Sequence, residues 1–198
     1  MIEAWIVYLF ALPLAVFVAW RSRRNGCSAF HVAVRALFVV YLSLMIGAAF
    51  FPLPINVDLV ALGRVEKEID VSLTPGHSTY DYLRSGASKK TVVDLGGNVL
   101  VFVPFGFLLP LIATRFATWR RMLVCGLLLS LSIELGQLAI SRSLGYSYRV
   151  TDVDDVVLNV AGVLWGFALW RLLRRRLPGA AAPEPGMAGD SALGTKIA

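Results

Sequence analysis

The chain has 198 residues, of which 57% are hydrophobic and only 16% charged, with a formal net charge of +6. That balance excludes an ordinary water-soluble domain and points to lipid as the solvent. The positive charge does not indicate nucleic acid, because the basic residues sit in short clusters at the ends of apolar runs and no recognition motif accompanies them.

In chain order the apolar runs are Ile2 to Trp20, Val32 to Phe51, Leu95 to Ala113, Met122 to Ile140 and Val156 to Leu173. Each is long enough to cross a hydrocarbon core of about 30 Å, which needs roughly 20 residues of helix. Backbone in lipid must satisfy its own hydrogen bonds, and no alternating barrel pattern is visible. The expected fold is therefore an all-α, polytopic transmembrane helical bundle of five spans. The first run carries neither a basic leader nor a small-residue cleavage site, so it reads as a retained span.

Arginine sets the expected orientation. Arg21, Arg23 and Arg24 follow the first run, Arg115, Arg120 and Arg121 follow the third, and Arg171, Arg174, Arg175 and Arg176 end the fifth. Excess Lys and Arg in short connections marks the cytoplasmic side, which puts the N-terminus outside and the C-terminus inside. Cys27 and Cys125 then lie toward the reducing side, where a disulfide is not expected. Organisation follows as a first helix with a basic inner loop (1–31), a membrane domain (32–176) with an outer loop (52–94), and a Pro, Gly and Ala rich tail (177–198). The tail is expected to be disordered, and the outer loop to form a cap with little regular structure.

Polar residues inside the spans are the informative ones, since an ionisable group at membrane depth is costly and faces a partner or a wet cavity. Glu134 lies about twelve residues into the fourth run, or roughly 18 Å at about 1.5 Å per residue. Ser130, Glu134, Gln137 and Ser141 share one helix face, which points at protein. The last run shows a matching stripe of Asp152, Asp155, Asn159, Gly162 and Gly166, whose two glycines read as a close-packing motif. The third run adds Asn98 near its outer end and Pro104, which removes a helix hydrogen bond.

Before the last run, Arg149 is the candidate to neutralise Glu134 or the aspartates, because guanidinium grips carboxylate with two parallel hydrogen bonds. Simpler readings stand beside these. Asp152 is a candidate N-cap with Asp155 at N3, as is Thr151 with Asp154 at N3. Glu134 with Arg149 reads equally as a structural ion pair, and Asn98 and Asn159 as bridges between helices. Arg35, near the inner end of the second run, reads as a side chain snorkelling to the headgroups. Asp152, Asp154 and Asp155 are a weak candidate for a hard divalent cation. No cofactor is implied, and neither His31 nor His77 shows zinc-site spacing.

Three segments carry a family resemblance: Asn98 to Phe107 as NVLVFVPFGF, Ile133 to Gln137 as IELGQ, and Arg149 to Gly162 as RVTDVDDVVLNVAG. Together they resemble the VanZ-like family of bacterial membrane proteins, from about the second span to the end of the fifth. The resemblance carries over to Asn98, to Glu134 and Gln137, and to Arg149, Asp152, Asp154, Asp155 and Asn159. The chain departs from the family in the outer loop, where an N-L-x-P-F segment is replaced by Ser72-Leu73-Thr74-Pro75-Gly76. The family's best-known member is associated with low-level resistance to teicoplanin, a lipoglycopeptide acting outside the cytoplasmic membrane. The resemblance therefore implies a multi-pass protein of the bacterial cytoplasmic membrane that acts at its outer face.

The expectation drawn from these residues is a polar, outer-leaflet-facing pocket built from Asn98, Glu134, Gln137, Arg149, Asp152, Asp155 and Asn159. Its ligand would be a lipid headgroup, a cell-wall intermediate or a lipoglycopeptide. An alternative is an intramembrane enzyme on a lipid-linked phosphate, with the aspartates holding a metal and Glu134 as general base, although no nucleophile signature is recognisable. A third reading is a structural partner of another membrane protein. Oligomeric state is not encoded in these patterns.

Overall fold

A computed structural model describes residues 2–54, 69–76, 84 and 89–178. Five helices in it are long and apolar enough to cross a membrane: α1 (Trp5–Arg24), α2 (Ala29–Phe50), α3 (Lys89–Ile112), α4 (Trp119–Leu144) and α5 (Val153–Leu173). The all-α, five-span expectation is met, with helix ends that differ from the apolar runs by a few residues in most spans. Helix α3 starts at Lys89, inside the segment expected to be loop, and α5 starts at Val153. Most of the remaining outer loop, expected to form a cap with little regular structure, and the tail from residue 179, expected to be disordered, lie outside the described residues.

Local chemistry explains the helix ends. Ser28 caps α2 by accepting from the His31 N–H at 3.5 Å, and Thr118 caps α4 by accepting from the Arg121 N–H at 3.4 Å. Helix α4 ends where Gly145 turns left-handed, with φ of 78°, and returns its N–H to the Ser141 carbonyl. At the start of α5 the Asp152 side chain accepts from the Asp154 N–H at 2.9 Å, so Asp152 is the N-cap of the two candidates.

Helix register follows from which residues meet. Arg35 of α2 reaches Ser22 of α1, and Gly47 of α2 lies against the Tyr8 ring of α1, so this pair is antiparallel. The Tyr41 hydroxyl donates to the Val101 carbonyl of α3 at 2.8 Å, while Phe38 packs on Phe105, which makes α2 and α3 antiparallel too. Gly162 and Gly166 of α5 face Val99 and Val103 of α3, which sets these two helices parallel. Helix α4 returns antiparallel to α5, with Ser130 on Asn159 and Trp119 on Phe167. One end of the bundle thus gathers the C-terminal ends of α2 and α4 with the N-terminal halves of α3 and α5. The arginine clusters lie at the other end, where Arg171 and Arg174 sit over the Trp119 and Trp170 rings.

Arg35 has specific partners at the α1–α2 connection. Its guanidinium turns into the α1–α2 hairpin, donating to the Ser22 hydroxyl and the Cys27 sulfur at 3.2 Å each, because the tight connection brings both acceptors beneath it. The side chain thus reaches toward the end of the hairpin that carries Arg21, Arg23 and Arg24.

The core lies among α3, α4 and α5, with Val34 and Met45 added from α2, and includes Phe102, Phe105, Met122, Val163, Phe167 and Trp170. Helix α1 contributes little to it and leaves Leu9, Phe10, Leu12, Val16 and Phe17 exposed, as a lipid-facing span does. The closest approach in the bundle is between α3 and α5. A Cβ on Gly162 or Gly166 would collide with the Val99 or Val103 carbonyl, and one on Gly106 with the Val163 carbonyl.

A two-stranded parallel ladder was not foreseen. Strand β1 (Val71–Ser72) pairs with β2 (Thr151–Asp152), with Val71 opposite Thr151 and Ser72 opposite Asp152. It ties the described part of the outer-loop segment to the start of α5.

These contacts make a prediction. Gly166→Ala should separate α3 from α5 and destabilise the protein by about 1–3 kcal/mol, as overpacking does. Gly96→Ala, where a Cβ meets nothing within 4 Å, should be neutral or slightly stabilising. Unfolding midpoints in an SDS titration check both, and equal midpoints for the two variants would refute the packing account.

Candidate functional site

The Ser130, Glu134, Gln137 and Ser141 stripe of α4 is buried along its whole length. Its partners come from three directions. Ser130 accepts from the Asn159 side-chain amide of α5 at 3.0 Å. The Gln137 amide donates to the Ala49 carbonyl at the end of α2, at 2.8 Å. The Ser141 hydroxyl accepts from the Tyr148 N–H at 3.3 Å, pinning the α4–α5 connection. Glu134, 5% exposed, lies about 15 Å from the C-terminal end of α4 at about 1.5 Å per residue. Its carboxylate accepts from the Asp152 N–H at 3.3 Å.

Helix α3 adds Asn98, which donates to the Asp155 carboxylate of α5 at 2.5 Å. Because α3 begins at Lys89, Asn98 lies about two and a half turns into the helix and not at its rim. The three aspartates take different partners: Asp152 caps α5, Asp154 accepts from the Gly76 N–H at 2.6 Å, and Asp155 accepts from Asn98. Among the described residues no group of three or more His, Cys, Asp and Glu side chains is arranged to hold a metal ion. The departure at Ser72–Gly76 does not detach this segment from the bundle, because its contacts to Asp154 and β2 are made by main-chain groups that many residue types supply.

Arg149 is placed otherwise than expected. Its guanidinium donates to the Ala48 carbonyl at 3.0 Å, to the Phe51 carbonyl at 3.4 Å and to the Tyr148 hydroxyl at 3.5 Å. The anticipated grip on Glu134 is absent. The reason lies at the C-terminal end of α2, whose last carbonyls lack helical N–H partners and attract a donor. Tyr148 reinforces the same junction by donating to the Phe50 carbonyl at 2.5 Å.

These elements enclose a cavity of about 430 Å³. Asn98, Glu134, Gln137, Arg149, Asp155 and Asn159 line it, which is six of the seven residues singled out from the sequence. Asp152 is the exception and is turned to its capping role. Apolar wall comes from Met45, Val101, Phe102, Ile133 and Val150, so the cavity is amphipathic. The contribution of α2 through Met45, Ala48 and Ala49 was missed, since a search for polar side chains does not see backbone carbonyls.

Apolar spanning helices with polar groups gathered between them at one end define a polytopic membrane protein. The VanZ/LLP1 family profile matches residues 38–174, more than half of the chain, and the protein belongs to that family. Helix α1 lies outside the matched region. No curated protein and no solved structure matches the chain.

Arg149→Lys should loosen the junction of α2 with the α4–α5 connection, because a point ammonium cannot reach two carbonyls and a hydroxyl as the planar fork does. The expected cost is about 1–3 kcal/mol, with faster amide exchange confined to 48–52 and 146–151. Uniform exchange across the bundle would contradict this local role.

Proposed function

We propose that the cavity is a binding site for the polar headgroup of an amphiphile, open toward the outer leaflet of the bacterial cytoplasmic membrane. The amphiphile is a membrane lipid, a cell-wall intermediate or a lipoglycopeptide, and its capture confers antibiotic tolerance. The observation that carries this reading is the convergence of six charged or amide side chains, from α3, α4, α5 and the connection before α5, on one amphipathic cavity. Polar groups held at such depth are costly unless something uses them. A cavity of this size lies within the range of small-molecule sites.

Orientation supports the outward opening. Arginines crowd the end of the bundle opposite the cavity, and the positive-inside rule places that end in the cytoplasm. The N-terminus is then outside and the C-terminus inside. A C-terminal fluorescent-protein fusion should therefore fluoresce and a C-terminal alkaline phosphatase fusion should be inactive. The opposite pair of results would invert the topology and move the cavity to the cytoplasmic leaflet.

Glu134→Ala is the direct test. In a teicoplanin-susceptible Gram-positive host, the wild-type chain should raise the inhibitory concentration of teicoplanin. The variant should return it to the empty-vector value at equal membrane abundance. Full protection by the variant would reject the site.

A further inference from the structure

The amides lining the cavity share one property. Asn98 gives its N–H to the Asp155 carboxylate, Gln137 gives its N–H to the Ala49 carbonyl, and Asn159 gives its N–H to the Ser130 hydroxyl. A carboxylate and a carbonyl have no hydrogen to offer, so the first two amides have their nitrogens fixed on the protein and their oxygens left over. Asn159 is 3% exposed, and its Oδ1 has no hydrogen-bond partner. A buried acceptor in that state is costly until something donates to it.

Glu134 adds to the imbalance. Its carboxylate accepts one long bond from the Asp152 N–H, and no cation pairs with it among the described residues. Arg149, a cation on the cavity wall, is anchored through Nε and one terminal nitrogen to Tyr148, Ala48 and Phe51 and forms no hydrogen bond with Glu134. Glu134 and Asp155 set two carboxyl groups against the one guanidinium of Arg149, so the lining is rich in acceptors and its formal balance of charge is negative, against an apolar wall of Met45, Phe102 and Ile133.

We infer that the cavity selects an amphiphile carrying a protonated primary amine, whose ammonium donates to Glu134 and to the side-chain oxygens of Asn159 and Gln137. The inference rests on the reading of the cavity as a ligand site and names the chemistry that site takes. An ammonium has three donors and no acceptor, which complements this lining. It also offsets the buried carboxylate, which is expensive to hold unpaired. A phosphodiester or sulfate would bring only acceptors. An alkali ion would meet the charge but leave most of about 430 Å³ and the apolar wall unused. Two sources share the chemistry: an aminophospholipid headgroup and the side-chain amine of a peptide amphiphile.

The test uses the full chain in detergent micelles, with binding read by native mass spectrometry. The probes are dihexanoyl phosphatidylethanolamine and Nα-lauroyl-lysine amide, each beside its N-acetylated counterpart, which has lost the charge and two donors. Acetylation should weaken binding about tenfold or more, and the tighter of the two free amines names the source. Glu134→Gln should weaken the free amines and leave the acetylated probes unchanged. Asn159→Asp, which keeps an oxygen for the Ser130 hydroxyl to donate to, should tighten the free amines, an outcome that mere loss of structure does not produce.

Equal binding of free and acetylated probes, or no binding of either amine, overturns the inference. Displacement of the amines by sodium chloride but not by choline chloride overturns it in favour of a monovalent metal site. In each of these cases a teicoplanin phenotype that still depends on Glu134 would leave the ligand-site reading standing, so the two failures are distinguishable.

Discussion

The near-contact of two backbones along α3 and α5 is the constraint from which the site follows. Gly106, Gly162 and Gly166 each leave out a Cβ at the seam, so that carbonyls of one helix fill the space a side chain would occupy on the other. In lipid the hydrophobic effect does not drive helices together, and close van der Waals packing takes that role. Because the two helices are parallel and locked in register, Asn98 sits beside Asp155, and the N-terminal half of α5 is aimed at α4. Looser packing would separate the amide from the acid and open the cavity to hydrocarbon.

A second set of contacts closes the same end of the bundle through main-chain groups. The terminal carbonyls of α2 accept from Gln137, Tyr148 and Arg149. The Gly76 N–H, the Asp152 N–H and the parallel β1–β2 ladder hold the loop segment and the start of α5. Residues 70–76, 147–152 and the end of α2 thereby form a rim around polar side chains that lie deeper in the spans. Charged groups at this depth survive because the acceptors of helix ends and the donors of loops are used against one another, and the residual imbalance faces the cavity.

This division of labour gives Arg149 a different part from the one its charge suggests. A guanidinium next to three aspartates in sequence invites an ion pair. Its bonds go instead to neutral carbonyls at a helix C-terminus, where partial negative charge is fixed in place and desolvation is less severe than for a buried salt bridge. Glu134 is left with a backbone N–H and the cavity. The cavity lining thus holds the carboxyl groups of Glu134 and Asp155 beside the guanidinium of Arg149, with no hydrogen bond between Glu134 and Arg149.

Much of this was legible in the sequence. Apolar run lengths determined five spans, because hydrocarbon thickness fixes helix length and an unsatisfied backbone cannot cross lipid. Helical spacing determined that Ser130, Glu134, Gln137 and Ser141 share a buried face, and that Gly162 and Gly166 belong to a packing seam, since the period of 3.6 acts within one helix. Composition likewise marked Asn98, Asp155 and Asn159 as residues that need partners. Tertiary structure alone decided who those partners are. The pairing of Asn98 with Asp155, the diversion of Arg149 to α2, the turning of Arg35 into its hairpin and the short parallel ladder all join residues whose relation depends on helix register. Register is set by steric fit across the α3–α5 seam, and a pattern confined to one chain segment carries no information about the surface it will meet.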